Sequence, residues 1–154
     1  MIQIKCPQDA NSLVIGNKFY LDLYDKIKPA TVYRPLVVLT NQTTKYSKTV
    51  KVSMDSTNKE RYLEMQIVST RGLTPENLSS GIVFFGSTDF PLGFYDVTIY
   101  KNTSNENMDI TGLSVIYSCL ANIIGNTDAT APVTYTEYAT NDSDTESIYL
   151  TNPL

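Results

Sequence analysis

The feature that most constrains this chain is a strict alternation over residues 94–100. Tyr95, Val97 and Ile99 fall on one side; Phe94, Asp96, Thr98 and Tyr100 fall on the other. A period of two in β-branched and aromatic residues specifies a half-buried β-strand. Pro91 and Gly93 punctuate its start, and the polar stretch from Asn102 to Asn107 marks a turn after it. Apolar runs lie both upstream and downstream, so the sequence predicts that this strand is central and that others pair with it.

The same grammar recurs along the chain. Met1–Ile4 reads as a short strand or an arm, and residues 1–17 together as an N-terminal arm. Leu13-Val14-Ile15 is an apolar patch closed by Gly16-Asn17. Phe19, Leu21 and Leu23 alternate with Tyr20, Asp22 and Tyr24, predicting a strand over 18–24. Leu36–Leu39 and the alternating Val50, Val52 and Met54 predict a hairpin turned at Asn41–Thr44. Leu63, Met65 and Ile67 alternate with Tyr62, Glu64 and Gln66. Residues 59–68 also score as helix by propensity, but the strict alternation favours a strand. Ser69–Ser80 reads as a loop holding one helical turn, capped by Thr74 with Pro75 at its first position. Ile82–Phe85 is a short buried strand. Leu113–Ala121 is apolar on much of both faces, with Val115, Tyr117 and Cys119 sharing one of them, and it belongs beside 94–101 across a loop at 105–111. Val133–Tyr138 and Ser147–Leu150 complete the set, and residues 139–154 read as a C-terminal arm.

About eight short strands at such spacing predict an all-β chain. The expected architecture is a single antiparallel β-sandwich over 1–154, Ig-like or jelly-roll-like, with polar terminal arms. The 154 residues suffice for one modest core. Eleven Tyr, no Trp and only 18 % charged residues fit that class better than a helical bundle. No signal peptide or membrane-length apolar run is visible, so synthesis and folding in the cytoplasm are expected. The Asn-X-Ser/Thr matches at Asn41, Asn77, Asn102 and Asn141 then read as surface loops rather than glycosylation sites.

Charge is uneven. Residues 1–100 carry 11 Lys/Arg against 9 Asp/Glu, whereas residues 101–154 carry only Lys101 against seven carboxylates. An acidic final third argues against broad nucleic-acid binding, which needs a basic face. It reads either as a solvated edge or as a surface that docks on a basic partner.

Few residues suggest chemistry. The chain has no His, so a Ser-His-Asp triad, a Cys-His dyad and an imidazole metal site are excluded within it. Cys6 and Cys119 read as two thiols rather than a bridge, and Cys119 as a buried structural thiol with no base to activate it. Asp142, Asp144 and Glu146 alternate as hard oxygen ligands for calcium would, but without the glycine and distant glutamate of an EF-hand; a solvated acidic loop is the favoured reading. Lys45, Lys48 and Lys51, with Lys59 and Arg61 nearby and Tyr46 and Tyr62 interleaved, form a basic hairpin. That pattern suits phosphate contact and stacking, protection of a sheet edge, or docking to an acidic protein surface; edge protection is favoured. Gly81 and Gly86 are isolated and make no phosphate loop. The strand tyrosines divide between core, protein interface and carbohydrate stacking. An enzyme would need an acid pair such as Asp96 with Glu137, which nothing in the spacing brings together. No cofactor is expected.

The order Gly93-Phe94-Tyr95-Asp96-Val97-Thr98-Ile99-Tyr100, an Asn/Ser-rich turn, Gly112-Leu113-Ser114-Val115, then Tyr135-Thr136-Glu137-Tyr138, with Leu39-Thr40-Asn41-Gln42-Thr43-Thr44-Lys45-Tyr46 upstream, resembles small β-sandwich virion proteins of tailed phages. The resemblance points to crAss-like phages of gut Bacteroidetes and spans residues 36–140. It departs at Tyr117-Ser118-Cys119, where the pattern carries an acidic residue. It implies a structural, non-enzymatic protein: an auxiliary capsid (decoration or cementing) protein located in the virion. Its partner would be the major capsid protein or other virion subunits, with no direct nucleic acid and no membrane, and its symmetry would be imposed by the lattice. A head-fibre or host-glycan-binding adhesin component, or a neck or tail ring protein, are the alternatives. The resemblance carries over no catalytic residue. The residues proposed for partner contact are Lys45, Tyr46, Lys48, Lys51, Tyr138, Asp142, Asp144 and Glu146.

Overall fold

A computed structural model describes residues 1–8, 13–22, 33–55 and 63–125. These residues form nine strands and one short 3₁₀ turn. The strands are β1 (Ile2–Cys6), β2 (Ile15–Leu21), β3 (Leu36–Asn41), β4 (Ser47–Lys51), β5 (Ser53–Asp55), β6 (Leu63–Thr70), β7 (Ile82–Phe84), β8 (Gly93–Tyr100) and β9 (Val115–Gly125). One sheet runs β1-β9-β8-β3-β4; the other runs β2-β6-β5, with β7 also pairing β6. The two pack face to face, so the expected β-sandwich is what the chain builds. The predicted strands at 133–138 and 147–150 and the arm at 139–154 lie outside the described residues.

β8 takes the middle of the five-stranded sheet, as the apolar runs on both sides of it in the sequence predict. Tyr95, Val97 and Ile99 are buried with Val37 and Leu39 of β3 and Ala121 and Ile123 of β9. Across the sandwich they meet Phe19, Met65, Ile67 and Val83. Each such side chain contributes about 1.5–3 kcal/mol on leaving water. Phe85, Phe90 and Tyr95 close one end of this core, with Phe90 and Tyr95 ring centroids 4.8 Å apart and Phe85 stacked 5.4 Å from Phe90. The Tyr95 hydroxyl donates to the Pro91 carbonyl, so its polar tip is satisfied inside the apolar cluster.

Several expectations are corrected. The arm reading does not hold for Ile2–Cys6 or Ile15–Asn17: Ile2–Cys6 is built into the sheet, paired in parallel with Ala121–Gly125, which is the strand alternative for Met1–Ile4, and Ile15–Asn17 opens β2. That strand starts three residues before its predicted 18, so Gly16-Asn17 lies inside it rather than ending a patch. Two pairings, β1 with β9 and β6 with β7, are parallel; alternation within one strand carries no information on its neighbour's direction. Ser69 and Thr70 extend β6 instead of opening a loop. The helical turn begins after Asn77, not Thr74: the Asn77 side chain accepts from Ser80 N at 3.2 Å, and Gly81, with φ 79°, ends it. Asn outcompetes Thr as an N-cap, while the Thr74 carbonyl accepts from Thr70 Oγ1 at 2.8 Å. The loop between β8 and β9 is longer than 105–111 and spans 101–114.

Two irregularities shape the sandwich. The alternation of Val50, Val52 and Met54 does not belong to one flat strand. The chain leaves the first sheet after Lys51 and enters the second at Ser53, with Val52 buried at the corner and its N–H on the Pro35 carbonyl at 3.1 Å. A strand that changes sheets seals this flank of the sandwich. In β9 the pairing slips between Ile99 and Tyr100: Ile99 faces Tyr117, but Tyr100 faces Val115. Ile116 is the extra residue of a β-bulge. It turns inward, 4 % exposed, and puts Val115 outside at 53 %, so Val115 does not share the face of Cys119 as its spacing suggested.

Candidate interaction surface

The basic hairpin is well formed but is not a patch. Asn41 Oδ1 accepts from the N–H groups of Thr43 and Thr44, both at 2.8 Å, and Lys45 closes the turn in the left-handed region, φ 63°. Register alternation then parts the lysines. Lys48 lies opposite Leu39 and faces inward; Lys51 lies opposite Leu36 and faces outward. Lys48 Nζ reaches Glu76 Oε1 at 2.6 Å and the Phe84 carbonyl at 2.9 Å, and sits 4.4 Å from the Phe90 ring centroid. Glu76 Oε1 also accepts from Phe84 N at 2.9 Å. Lys51 Nζ donates to the Asn105 carbonyl. Both ammonium groups are therefore spent within the chain, on opposite sides of the sheet. Tyr46 remains exposed. An inward charge on the edge strand β4 is a known guard against edge-to-edge pairing. Tyr138, Asp142, Asp144 and Glu146, like Lys59, Arg61 and Tyr62, lie outside the described residues.

The other flank is held by a polar cluster that the sequence reading missed. Asn17 Oδ1 accepts from Lys5 N at 2.7 Å, and its amide donates to the Lys5 carbonyl at 2.9 Å. Ser69 Oγ donates to the same carbonyl at 2.6 Å. The free edge of β1 is thereby occupied by a side chain of the opposite sheet. An Asn inside an alternating run, at a position whose parity is inward, was the available signal.

The thiols are two, not a bridge. Burial pushes the Cys6 thiol up to about 11 and raises Cys119 as well. For Cys119 the charge of the amino terminus offsets part of that rise. Raised thiols are poor nucleophiles. Among the described residues, no three His, Cys, Asp or Glu side chains gather where a metal could sit.

What the domain offers is a pair of unequal outer faces. The outer face of the second sheet is polar: Lys18 pairs with Glu64 at 2.7 Å and the Tyr20 hydroxyl donates to Glu64 at 3.0 Å. The outer face of the five-stranded sheet carries apolar side chains in solvent. Phe94 is 53 % exposed and Leu120 44 %. Register sets Phe94 opposite Asn122, and so diagonal to both Leu120 and Ile124; Asn122 is flanked in turn by Gln3. Diagonal neighbours on one face are within reach of aromatic and long side chains. At the opposite end of this face Val115, set opposite Tyr100, is exposed as well, and only the β3 side is closed. Leu36 shares its parity yet is fully buried and lies outside the main core. There the 101–114 loop folds back, pinned by Lys51 on Asn105 and by Asn102, whose amide donates to the Arg34 carbonyl at 3.0 Å.

No protein-family model, curated protein or solved structure matches this chain. The fold and the surface define a small all-β domain with the character of a protein–protein interaction module.

Proposed function

We propose that this chain is an auxiliary structural component of a phage virion, most simply a decoration protein that binds major capsid subunits and reinforces the shell. The supporting observation is the unequal pair of outer faces: a small sandwich that exposes Phe94 and Leu120 on one side only has one face suited to burial against a neighbour. The order of motifs over residues 36–140 supports the virion setting. Such a subunit stabilises a shell by mass action, because only the assembled lattice binds it. It acts by binding rather than catalysis.

The test is co-sedimentation with capsids that lack it. A decoration protein saturates at fixed stoichiometry, protects the shell against pressure, and loses binding in Phe94→Asp or Leu120→Lys. Capsids equally resistant with and without it sink the cementing role. Binding to host cells or glycans by the isolated protein favours the adhesin alternative. The native mass separates the rest: a monomer fits decoration, a trimer a head fibre, and a closed ring a neck or tail collar.

A further inference from the structure

We infer that the free protein pairs with a second copy of itself through the outer face of the five-stranded sheet, about a two-fold axis that passes over Asn122. The pairing neither needs nor contradicts the virion reading, because docking on a capsid through the same face would part the two copies.

Exposure, area and charge carry it. Phe94, Leu120 and Val115 stand in solvent on this face, at 53, 44 and 53 % exposure, and Ile124 is half-buried beside them. Five strands spaced about 4.8 Å apart, with about 25 Å of strand length, make roughly 500 Å² of flat sheet. Side-chain relief raises that toward the about 800 Å² per partner of a specific interface.

The charges on the face match those of a second copy. Its strands carry three charged side chains there: Lys5, Asp96 and Lys51. Lys51 is spent on the Asn105 carbonyl. Among the described residues Lys5 Nζ has no partner, and Asp96 accepts a single bond, from Gln42 Nε2 at 2.9 Å. Register sets Lys5 and Asp96 on opposite sides of one residue. Gln3 and Phe94 flank Asn122; Lys5 lies one step beyond on β1, opposite Ile124, and Asp96 one step back on β8, opposite Leu120. The two charges are thus about 16 Å apart, too far to meet within one chain, and their midpoint is Asn122. An isologous contact requires each residue of a pair to meet the other's counterpart. A two-fold axis in the plane of the face, over Asn122, does this: Lys5 of each copy falls on Asp96 of the other. The same axis lays Phe94 near Ile124 of the other copy and sets the two Asn122 carboxamides side by side. The strands of the two copies then cross steeply, as in orthogonal sheet packing.

The experiment is sedimentation equilibrium on the full-length chain from micromolar to millimolar concentration, with circular dichroism checking that each variant is folded. The parent is expected to pass from the mass of one chain to that of two. Lys5→Glu and Asp96→Lys should each weaken pairing by about tenfold or more, because each turns two attractive contacts into like-charge ones. Mixed in equal amounts, the two variants should recover the dimer, since both contacts of the mixed pair again join opposite charges. A parent that keeps the mass of one chain throughout overturns the inference, and so does a trimer or larger ring. A mixture that pairs no better than its components also overturns it, by placing the axis elsewhere.

Discussion

Asn17 and Lys5 face each other as two residues of one sheet would, although they belong to different sheets. The Asn17 carboxamide accepts from the Lys5 amide at 2.7 Å and donates to the Lys5 carbonyl at 2.9 Å, completing a peptide-like pair with a side chain. Ser69, fully buried, adds a donor to the same carbonyl. Asn17→Ala leaves the Lys5 N–H without its acceptor and takes one of two donors from the Lys5 carbonyl, and should cost about 2–3 kcal/mol. Ser69→Ala, which removes one donor of two, should cost about 1 kcal/mol. Urea unfolding midpoints of the two variants check the order; equal losses would mean that the carboxamide does not bridge the sheets.

Lys48 is expected to show a split phenotype. Its removal leaves the Glu76 carboxylate and Phe84 carbonyl short of a donor, so Lys48→Val should cost about 1 kcal/mol in stability. The same change removes the inward charge from an edge strand, so the variant should also self-associate faster than the parent. Light scattering at equal folded fraction checks the second effect. A variant that loses stability but aggregates no faster would leave Lys48 as packing alone.

Lys45 holds a left-handed backbone, φ 63°, that an L side chain resists and glycine does not. Its amine makes no contact that offsets this among the described residues. Lys45→Gly should therefore raise stability by about 0.5–1 kcal/mol, the released strain exceeding the added entropy of the unfolded chain. A lower urea midpoint would show that the turn is not strained.

Alkali should weaken the fold before it ionises the free tyrosines. Burial raises Cys6 from 9.0 to about 11 and Tyr95 from 10.0 to about 12. Both groups are neutral in the folded core, and the unfolded chain loses their protons first. Their stabilisation is complete below pH 9 and is lost as pH climbs toward 11 and 12. The melting temperature should be flat from neutral pH to about 9 and fall above it, and Cys6→Val should shift the start of that fall upward by about one pH unit. An identical limb in Cys6→Val would assign the alkaline loss elsewhere.

What could be read from the sequence was what a single strand reports about itself. Tyr95, Val97 and Ile99 alternate because one face of β8 is buried, and the apolar runs on either side of it in the sequence placed the strand at the centre. The β3–β4 turn was legible for a similar reason, since Asn41 supplies a local side-chain acceptor. What escaped depends on relations between strands. Ile116 looks outward by counting from Cys119, and only the slipped pairing with β8 turns it in. Lys48 reads as one of three surface lysines until Leu39 is set opposite it. Asn17 resembles a turn residue because its partner, Lys5, lies in another sheet. The candidate surface was hidden in the same way: Phe94 and Leu120 are ordinary apolar residues of two predicted strands, and register alone makes them neighbours in solvent.

The parallel ladder between Ile2–Cys6 and Ala121–Gly125 has a consequence for how the protein is made. β9 lies between β1 and β8, so the last of these three strands to leave the ribosome fills the slot between the two made earlier. Until residue 125 has emerged, β1 has no ladder partner and β8 lacks one neighbour. Such long-range closure slows folding, and the waiting edges are prone to pair with other chains. The domain is thus assembled as a late event, with its first strand held in reserve until nearly the whole described chain exists.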